Sequence, residues 1–565
     1  MSKMKLITTL IFSLIAFGFF GINKAQAATP VLNFSDLING PASGLNDGLG
    51  EGTIITIWGN NIGSSQGSST ITIGGQPPAH IYYWKNADGN LPGGPSDLYT
   101  SHQMQEIAFS IPSSLTNGEH QIQVTANRKT SNTLPFTVRL GNIYHAMTSG
   151  SSSGDGSYGN PWGSFVQGGG VDGMVAGDVL YLHDDANDIV TSGMNSVSHK
   201  NGTEANQYGI VAYPNADCLI QAPDRALNFV SSSAHVLSKI TFQAGQYDEP
   251  PPEDTDFLPE TGNGGTGIGS RMTWGRIVGN KIQEIPGKCV AGRGGAIHPD
   301  NGGTTEDAIS GLKVFGNYIY DWGCPQTPPK EHTTYFTIRN NGVSDVAPWE
   351  IGWNHLKDNK SMNGIHNYDE GDEPIWECGS PNGVVKIHDN YIINQRGPGI
   401  YLGNSSATTT CWDNGEFDVY NNVIIEAGKG TMHTSQNGLE TAGVAFRGEG
   451  LASPIHFYNN KILASGDNDK GNAAAIYLPG STNTQYIQLN ISNNIVHDTR
   501  GGRYTLTNNS YTSGISGSDN TFYSTGGALN NTIDSRLTDS ILNSEPQSVY
   551  FNTVSTPQLN SITIK

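Results

Sequence analysis

Seven stretches of this chain superimpose without a gap, and that repeat limits the possible folds more than any other feature. They are Arg276-Ile-Val-Gly-Asn280-Lys-Ile, Lys313-Val-Phe-Gly-Asn317-Tyr-Ile and Glu350-Ile-Gly-Trp-Asn354-His-Leu. Next come Lys386-Ile-His-Asp-Asn390-Tyr-Ile, Asp418-Val-Tyr-Asn-Asn422-Val-Ile, His456-Phe-Tyr-Asn-Asn460-Lys-Ile and Asn490-Ile-Ser-Asn-Asn494-Ile-Val. The asparagines are 37, 37, 36, 32, 38 and 34 residues apart. One coil of a β-solenoid with loop insertions has that length. Each asparagine falls at a bend, where it can bond the backbone through its side chain and tolerate left-handed geometry. Stacked copies can bond one another as a ladder. Leucine-rich and propeller signatures are absent.

A second apolar strand follows each of the first six asparagines. Its copies are Ala296-Ile-His298, Tyr335-Phe-Thr-Ile-Arg339, Gly364-Ile-His366-Asn-Tyr368, Gly399-Ile-Tyr401-Leu, Gly443-Val-Ala-Phe-Arg447 and Ala475-Ile-Tyr477-Leu. Two strands per coil predict two parallel sheets with alternating side chains inward. If Ile297, Ile338, Ile365, Ile400, Phe446 and Ile476 face the core, their neighbours face out. The outward column is then His298, Arg339, His366, Tyr401, Arg447 and Tyr477, with Tyr368 two residues beyond His366. Coils about 4.8 Å apart would set these groups in one strip. The column is either a functional surface or a solvated strand face that carries aromatics. His332, in Glu331-His-Thr-Thr-Tyr-Phe336, is a loop residue at the same groove or a turn histidine.

Composition agrees with many coils and many corners. Glycine contributes 72 of 565 residues and charged residues only 14%. No Gly-X-Y period is present, which excludes collagen. Apolar residues at 36% are enough for a core, which excludes wholesale disorder. A net charge of −20 argues against nucleic acid as a partner. Residues 1–27 have the form of a signal peptide: Lys3 and Lys5, an apolar run from Leu6 to Ile22, and Ala25-Gln26-Ala27 as a cleavage site. No later stretch is apolar enough to span a bilayer, so a secreted bacterial protein, extracellular or periplasmic, is expected. Export permits disulfides. Cys289 and Cys324 are 35 residues apart and Cys378 and Cys411 are 33 apart, each about one coil, so these two bridges are predicted, with Cys218 outside them.

Residues 30–138 alternate with period two between turn signals. Gly52-Thr-Ile-Ile-Thr-Ile-Trp-Gly-Asn-Asn-Ile-Gly63, Ile71-Thr-Ile-Gly-Gly75, Ile107-Ala-Phe-Ser-Ile-Pro112, Gly118 to Val124 and Phe136-Thr-Val138 make about seven short strands, which fits a β-sandwich. Their order resembles the IPT/TIG immunoglobulin-like domain, a spacer or binding module. Gly-Asp-Gly-Ser-Tyr-Gly-Asn-Pro-Trp at 154–162 and Ala176-Gly-Asp-Val-Leu-Tyr-Leu182 resemble the entry of secreted right-handed parallel β-helix proteins. The expected fold is therefore all-β: a signal peptide (1–27), an IPT/TIG-like sandwich (28–140) and a right-handed parallel β-helix (141–565).

The β-helix group is rich in polysaccharide lyases and glycoside hydrolases, and it also includes adhesins. The resemblance implies an extracellular polysaccharide as partner and a monomeric enzyme. A lyase acting by β-elimination at a uronic acid needs a cation for the carboxylate, a base for the C5 proton and an acid for the leaving oxygen. Arg339 or Arg447 can supply the first, His366 or His298 the second, and Tyr368 or Tyr401 the third, with His332 beside them. Trp349, Trp353, Tyr335 and Tyr477 are the expected sugar-stacking aromatics. A hydrolase instead needs two carboxylates across a groove, for which Asp300, Glu350, Asp369 and Glu370 are candidates. A non-catalytic glycan-binding adhesin or matrix protein is the third alternative. The run Asp369-Glu370-Gly-Asp372-Glu373 can serve as a calcium loop, a source of catalytic carboxylates or a solvated turn, although it lacks an Asp-x-Asp-x-Asp-Gly pattern. The long acidic segment from Gly245 to Met272 has the length of a functional lid or a disordered loop. Serine-hydrolase, P-loop and dinucleotide fingerprints are missing.

Overall fold

The computed structural model describes residues 28–166, 170–183, 187–198, 200–248, 265–292, 294–299, 309–324, 331–338, 347–369, 383–404, 416–430, 442–447, 454–466, 474–478, 488–497, 503–507, 514–523 and 537–542. The signal-peptide segment 1–27 and most of the long acidic segment lie outside the described residues.

The asparagine repeat builds the architecture. In each coil a short strand runs into the corner, the residue before the asparagine takes a left-handed conformation, and a second short strand leaves. That residue is Gly279 (φ 65°), Gly316 (61°), Trp353 (56°), Asp389 (50°), Asn421 (56°), Asn459 (58°) or Asn493 (55°). The two-sheet expectation is thus corrected to three faces, because the corner cuts the first predicted strand in two. A 23-stranded parallel sheet holds both short strands of every coil, and a ten-stranded parallel sheet holds the third. The fold is a right-handed parallel β-helix.

The asparagines form one buried ladder. The Asn354 Nδ2 donates to Asn390 Oδ1 (2.9 Å) and to the Val314 carbonyl of the coil before (2.9 Å). Asn317 donates to Asn354 Oδ1 from its backbone N–H and its Nδ2, both at 3.0 Å. The same pattern links Asn280 through Asn494 and continues to Asn520, one rung beyond the repeat. Each corner therefore satisfies polar groups that burial would otherwise leave costly. Inside the ladder the core is a column of Ile, Leu, Val and Phe, including Ile277, Val314, Ile351, Ile387, Val419, Phe457 and Ile491.

Ahead of the helix stands the immunoglobulin-like sandwich. Its four-stranded sheet orders Val31–Ser35, Ile54–Asn60, Gln105–Ser110 and His80–Asn86; its five-stranded sheet contains Asn39–Gly40, Leu134–Val138, Gly118–Ala126, Thr70–Ile73 and Lys129–Thr130. The sandwich packs on the helix through Phe34, whose ring lies 5.1 Å from Trp58, 5.8 Å from Phe315 and 5.1 Å from Trp353. Glycine is required twice at this seam: a Cβ on Gly279 would sit 2.8 Å from Trp58, and one on Gly316 2.5 Å from Phe34. Arg276 donates to the carbonyls of Asp36 (3.0 Å) and Ser35 (2.8 Å) across the same seam.

Cys289 and Cys324 are bridged as expected, with Cα atoms 5.0 Å apart. Cys378 and Cys411 lie outside the described residues. Cys218 is a buried thiol whose Sγ sits 3.3 Å from the Leu182 and His183 carbonyls. Among the described residues no helix is long and apolar enough to cross a membrane.

Candidate functional site

The ten-stranded sheet carries the outward strip, and its register changes the expected membership. Ile297 pairs with Thr334, not Ile338, so Tyr335 occupies the rung opposite His366. The strand Glu331–Ile338 is eight residues long and enters the sheet earlier than the sequence alignment assumed. Further along, Ile400 pairs with Val444 and Tyr401 with Ala445, while Arg447 pairs with Gly403. Arg447 therefore belongs to the rung of Tyr368, which also pairs with Gly403. Both slips are even, four residues and two, so the face is kept while the rungs shift. Arg339 lies outside the described residues, and of Arg447 the backbone alone is described.

The corrected column reads His298, Tyr335, His366, Tyr401, Ala445, Tyr477. Tyr335 lies between two imidazoles, its ring 5.0 Å from His298 and 4.9 Å from His366, at interplanar angles of 18° and 14°. Tyr401 meets His366 edge-on at 4.5 Å. Tyr368 closes the side, 5.1 Å from His366 and 6.2 Å from Tyr401. His332 joins the cluster, its ring 4.2 Å from His366 and 4.6 Å from Tyr335. The Asn363 amide reaches His332 Nδ1 at 3.2 Å. Of the expected catalytic residues, His298, His332, His366, Tyr368 and Tyr401 thus lie together, with Tyr335 among them.

Burial sets the electrostatics. His366, Tyr335 and Tyr401 are buried although they belong to the outward column, and His332 beside them is buried too. Burial, with the neighbouring His298 adding to it, pushes the His332 imidazole down to about 3, so it stays neutral at ordinary pH. Next to it in sequence, Glu331 is fully buried and accepts from Trp322 Nε1 at 2.9 Å; burial holds its carboxyl well above the usual range. Imidazoles among phenols can move a proton, and the ring faces can stack on the apolar face of a sugar.

Two expected aromatics have other places. Trp349 is a core side chain, 1% exposed, whose Nε1 donates to Asn367 Oδ1 at 3.1 Å. Trp353 occupies the left-handed corner and packs on Phe34 of the sandwich. Neither is presented to a ligand at the strip. Glu350 is not near the strip either. It lies on the first face, its Oε1 3.0 Å from His388 Nε2 and its Oε2 3.2 Å from Lys313 Nζ. Burial alone would raise its pKa, but the His388 bond and the Lys313 charge hold it at about 2. His388 also reaches Asp389 Oδ2 at 2.9 Å. Burial works against its charge, yet the bonds to Asp389 and Glu350 outweigh it and raise the imidazole above its ordinary value. Sequence reasoning missed this Glu350–His388–Asp389 group. Its signal was Gly352: a Cβ there would lie 2.7 Å from His388 Cε1, so the bare glycine lets the ring lie across the neighbouring coil.

Asp300, Glu370 and Asp372 lie outside the described residues, as does the side chain of Asp369. Among the described residues the ligating atoms of Glu416, Asp418 and His456 lie within 4.8 Å of one another, on the first face.

No family model matches the chain, and no curated protein matches it. Among solved structures it is similar to a mannuronic acid specific polysaccharide family 6 lyase enzyme from human gut microbiota. The identity is 11%, the match covers 66% of this chain and 87% of that one, and the TM-score is 0.24. A likeness at that score supports no statement about activity.

Proposed function

We propose that the chain is an exported enzyme that degrades an extracellular polysaccharide, a lyase cleaving a uronic-acid-containing glycan by β-elimination. One observation carries this reading: His298, His332, His366, Tyr335, Tyr368 and Tyr401 share one continuous set of ring contacts on a single outward strip. In the proposed step His366 takes the C5 proton, the C4–O bond breaks as the C4–C5 double bond forms, and Tyr368 or Tyr401 protonates the departing oxygen. Arg447, on the rung of Tyr368, is assigned to the substrate carboxylate, with Arg339 as the other candidate. On this reading residues 28–140 are an IPT/TIG-like module bracing a helix that spans 141–565, and the enzyme acts as a monomer.

The hydrolase alternative has less support, because Glu350 is committed to His388 and Lys313 on another face. The test is incubation with a panel of uronic polysaccharides, with and without calcium, read by ultraviolet absorbance of the unsaturated product. We expect that product on at least one glycan. Saturated reducing ends without absorbance, or bound glycan of unchanged length, would overturn the lyase assignment.

A further inference from the structure

The sandwich carries a cleft of about 520 Å³ at the end of its four-stranded sheet, away from the strip. Amides dominate its walls: Asn60, Asn61, Asn86, Gln103, Gln105 and Asn127. Tyr99 and Ser64 complete the polar lining, and no charged side chain is among its described lining residues. A volume of about 300–1,000 Å³ is usual for small-ligand sites. Amide walls without charge are not.

Four of the amides are held rather than loose. Asn60 Nδ2 donates to the His102 carbonyl (2.8 Å) while its Oδ1 accepts from Asn33 (2.8 Å). Gln105 Nε2 donates to the Gln103 carbonyl (2.8 Å), and its Oε1 accepts from the Ile62 N–H (3.3 Å). These two form a fixed floor. Gln103 commits its Nε2 to the Tyr99 carbonyl (2.8 Å), and Asn61 commits its Nδ2 to the Thr29 carbonyl (3.3 Å). With their NH₂ groups engaged on backbone, both keep carbonyl oxygens as acceptors. Asn61, Gln103 and Asn127 stand at φ 59°, 56° and 51°, so three corners of the wall are left-handed. Gln103 is unusual there, since glycine or asparagine is the ordinary choice.

We propose that this cleft binds a neutral oligosaccharide. Sugar hydroxyls are donors and acceptors at once; the held carbonyl oxygens of Asn61 and Gln103 answer the first role, and the amides of Asn86 and Asn127 can answer either. The Tyr99 ring adds a face for the apolar side of a pyranose. Among the described lining residues there is no cation, which argues against uronic or sulfated units, whose charge would stay unpaired. The inference does not rest on the chemistry of the strip, and its failure would leave that assignment untouched.

The test uses the full chain and saturation-transfer NMR with titration calorimetry. The probes are cello-, manno-, malto- and xylohexaose, with a hexagalacturonate as the charged control. We expect at least one neutral probe to bind, Tyr99→Ala and Asn127→Ala each to weaken it about tenfold, and His366→Ala to leave it unchanged. Both cleft variants should melt near the wild type; should Tyr99→Ala not fold, Asn127→Ala decides. Binding of no neutral probe, affinity unmoved by the cleft variants, or equal affinity for hexagalacturonate at this cleft would overturn the proposal.

Discussion

Two histidine groups stand on two faces of the same coils, and they are opposite in character. On the ten-stranded sheet His332 and His366 lie among tyrosine rings, and burial keeps His332 neutral. On the first face His388 lies between Glu350 and Asp389, and the bonds to those carboxylates outweigh burial and raise its pKa. His366 and His388 are both buried, and both come from outward positions of a repeated strand. The difference is what lies within bonding reach of the ring: His366 has Tyr335 and Tyr401 at its rungs, whereas His388, with Gly352 and the stacked Tyr420 at its rungs, also meets Glu350 from the coil before and Asp389 beside it in its own coil. An imidazole among phenol rings presents its faces and nitrogens to a ligand at the strip, whereas an imidazole bonded on both sides to carboxylates is a cross-link. The solenoid supplies the same scaffold to both, so the carboxylates within reach of the ring, from the neighbouring coil and from its own, decide which job a histidine takes.

The comparison breaks most sharply on activity. We expect His366→Ala to lower the rate of unsaturated-product formation by about 100-fold or more, while the melting temperature changes little. His388→Ala should keep that rate and lose stability instead. Equal rate loss in the two variants, measured on the glycan that the wild type cleaves, would erase the distinction.

Acid should separate the groups next. A histidine with its folded pKa near 3 binds its proton less readily than the unfolded chain does near 6.5. Stability is therefore lost as pH falls from 6.5 toward 3, by about 3 kcal/mol between pH 7.5 and 4 for His332. Urea unfolding of the wild type and of His332→Asn at these two pH values measures it; the variant should lose less.

For His388 the sign reverses. Its folded pKa is raised, so its contribution is full below about 6.5 and fades as pH rises through the folded value. Glu350, held at about 2, contributes above its usual range and fades as pH falls toward 2. Their joint stabilisation is thus greatest between roughly pH 4.5 and 6.5. We expect His388→Gln to cost about 2 kcal/mol at pH 6 and less at pH 9, by denaturant unfolding.

How much of this was legible follows from what each level of the fold depends on. The asparagine ladder depends on one residue per coil, so the repeat exposed it directly, and only the 26-residue step to Asn520 hid the next rung. The outward face of the second strand depends on parity, which survived slips of four and two residues. Rung identity depends on where each strand enters the sheet, and loops of unequal length conceal that. Hence Tyr335 stands where Arg339 was expected, and Ala445 where Arg447 was. Trp349 and Trp353 looked like ligand-facing aromatics, yet one fills the core and the other meets a domain that lies more than 300 residues earlier in the chain. The His388 group needed knowledge of both a rung and a missing Cβ, and the repeat displays only the first.

The smallest expected effect concerns Lys313, and it decides what holds Glu350. The pair lies at 3.2 Å, but its side chains are 27% and 23% exposed. A partly solvated lysine pair contributes about 0–1 kcal/mol and is screened by salt. The His388 contact is drier, with that side chain 3% exposed, and it is anchored on its far side by Asp389. Lys313→Ala should therefore cost under about 1 kcal/mol, less still in 0.5 M salt, and should raise the Glu350 pKa by less than His388→Gln does. Carboxylate NMR titration of the two variants compares them. If Lys313→Ala moved Glu350 further, the carboxylate would be held mainly by the exposed ammonium. The first face would then be a surface ion pair, and its contrast with the buried strip would lose its physical basis.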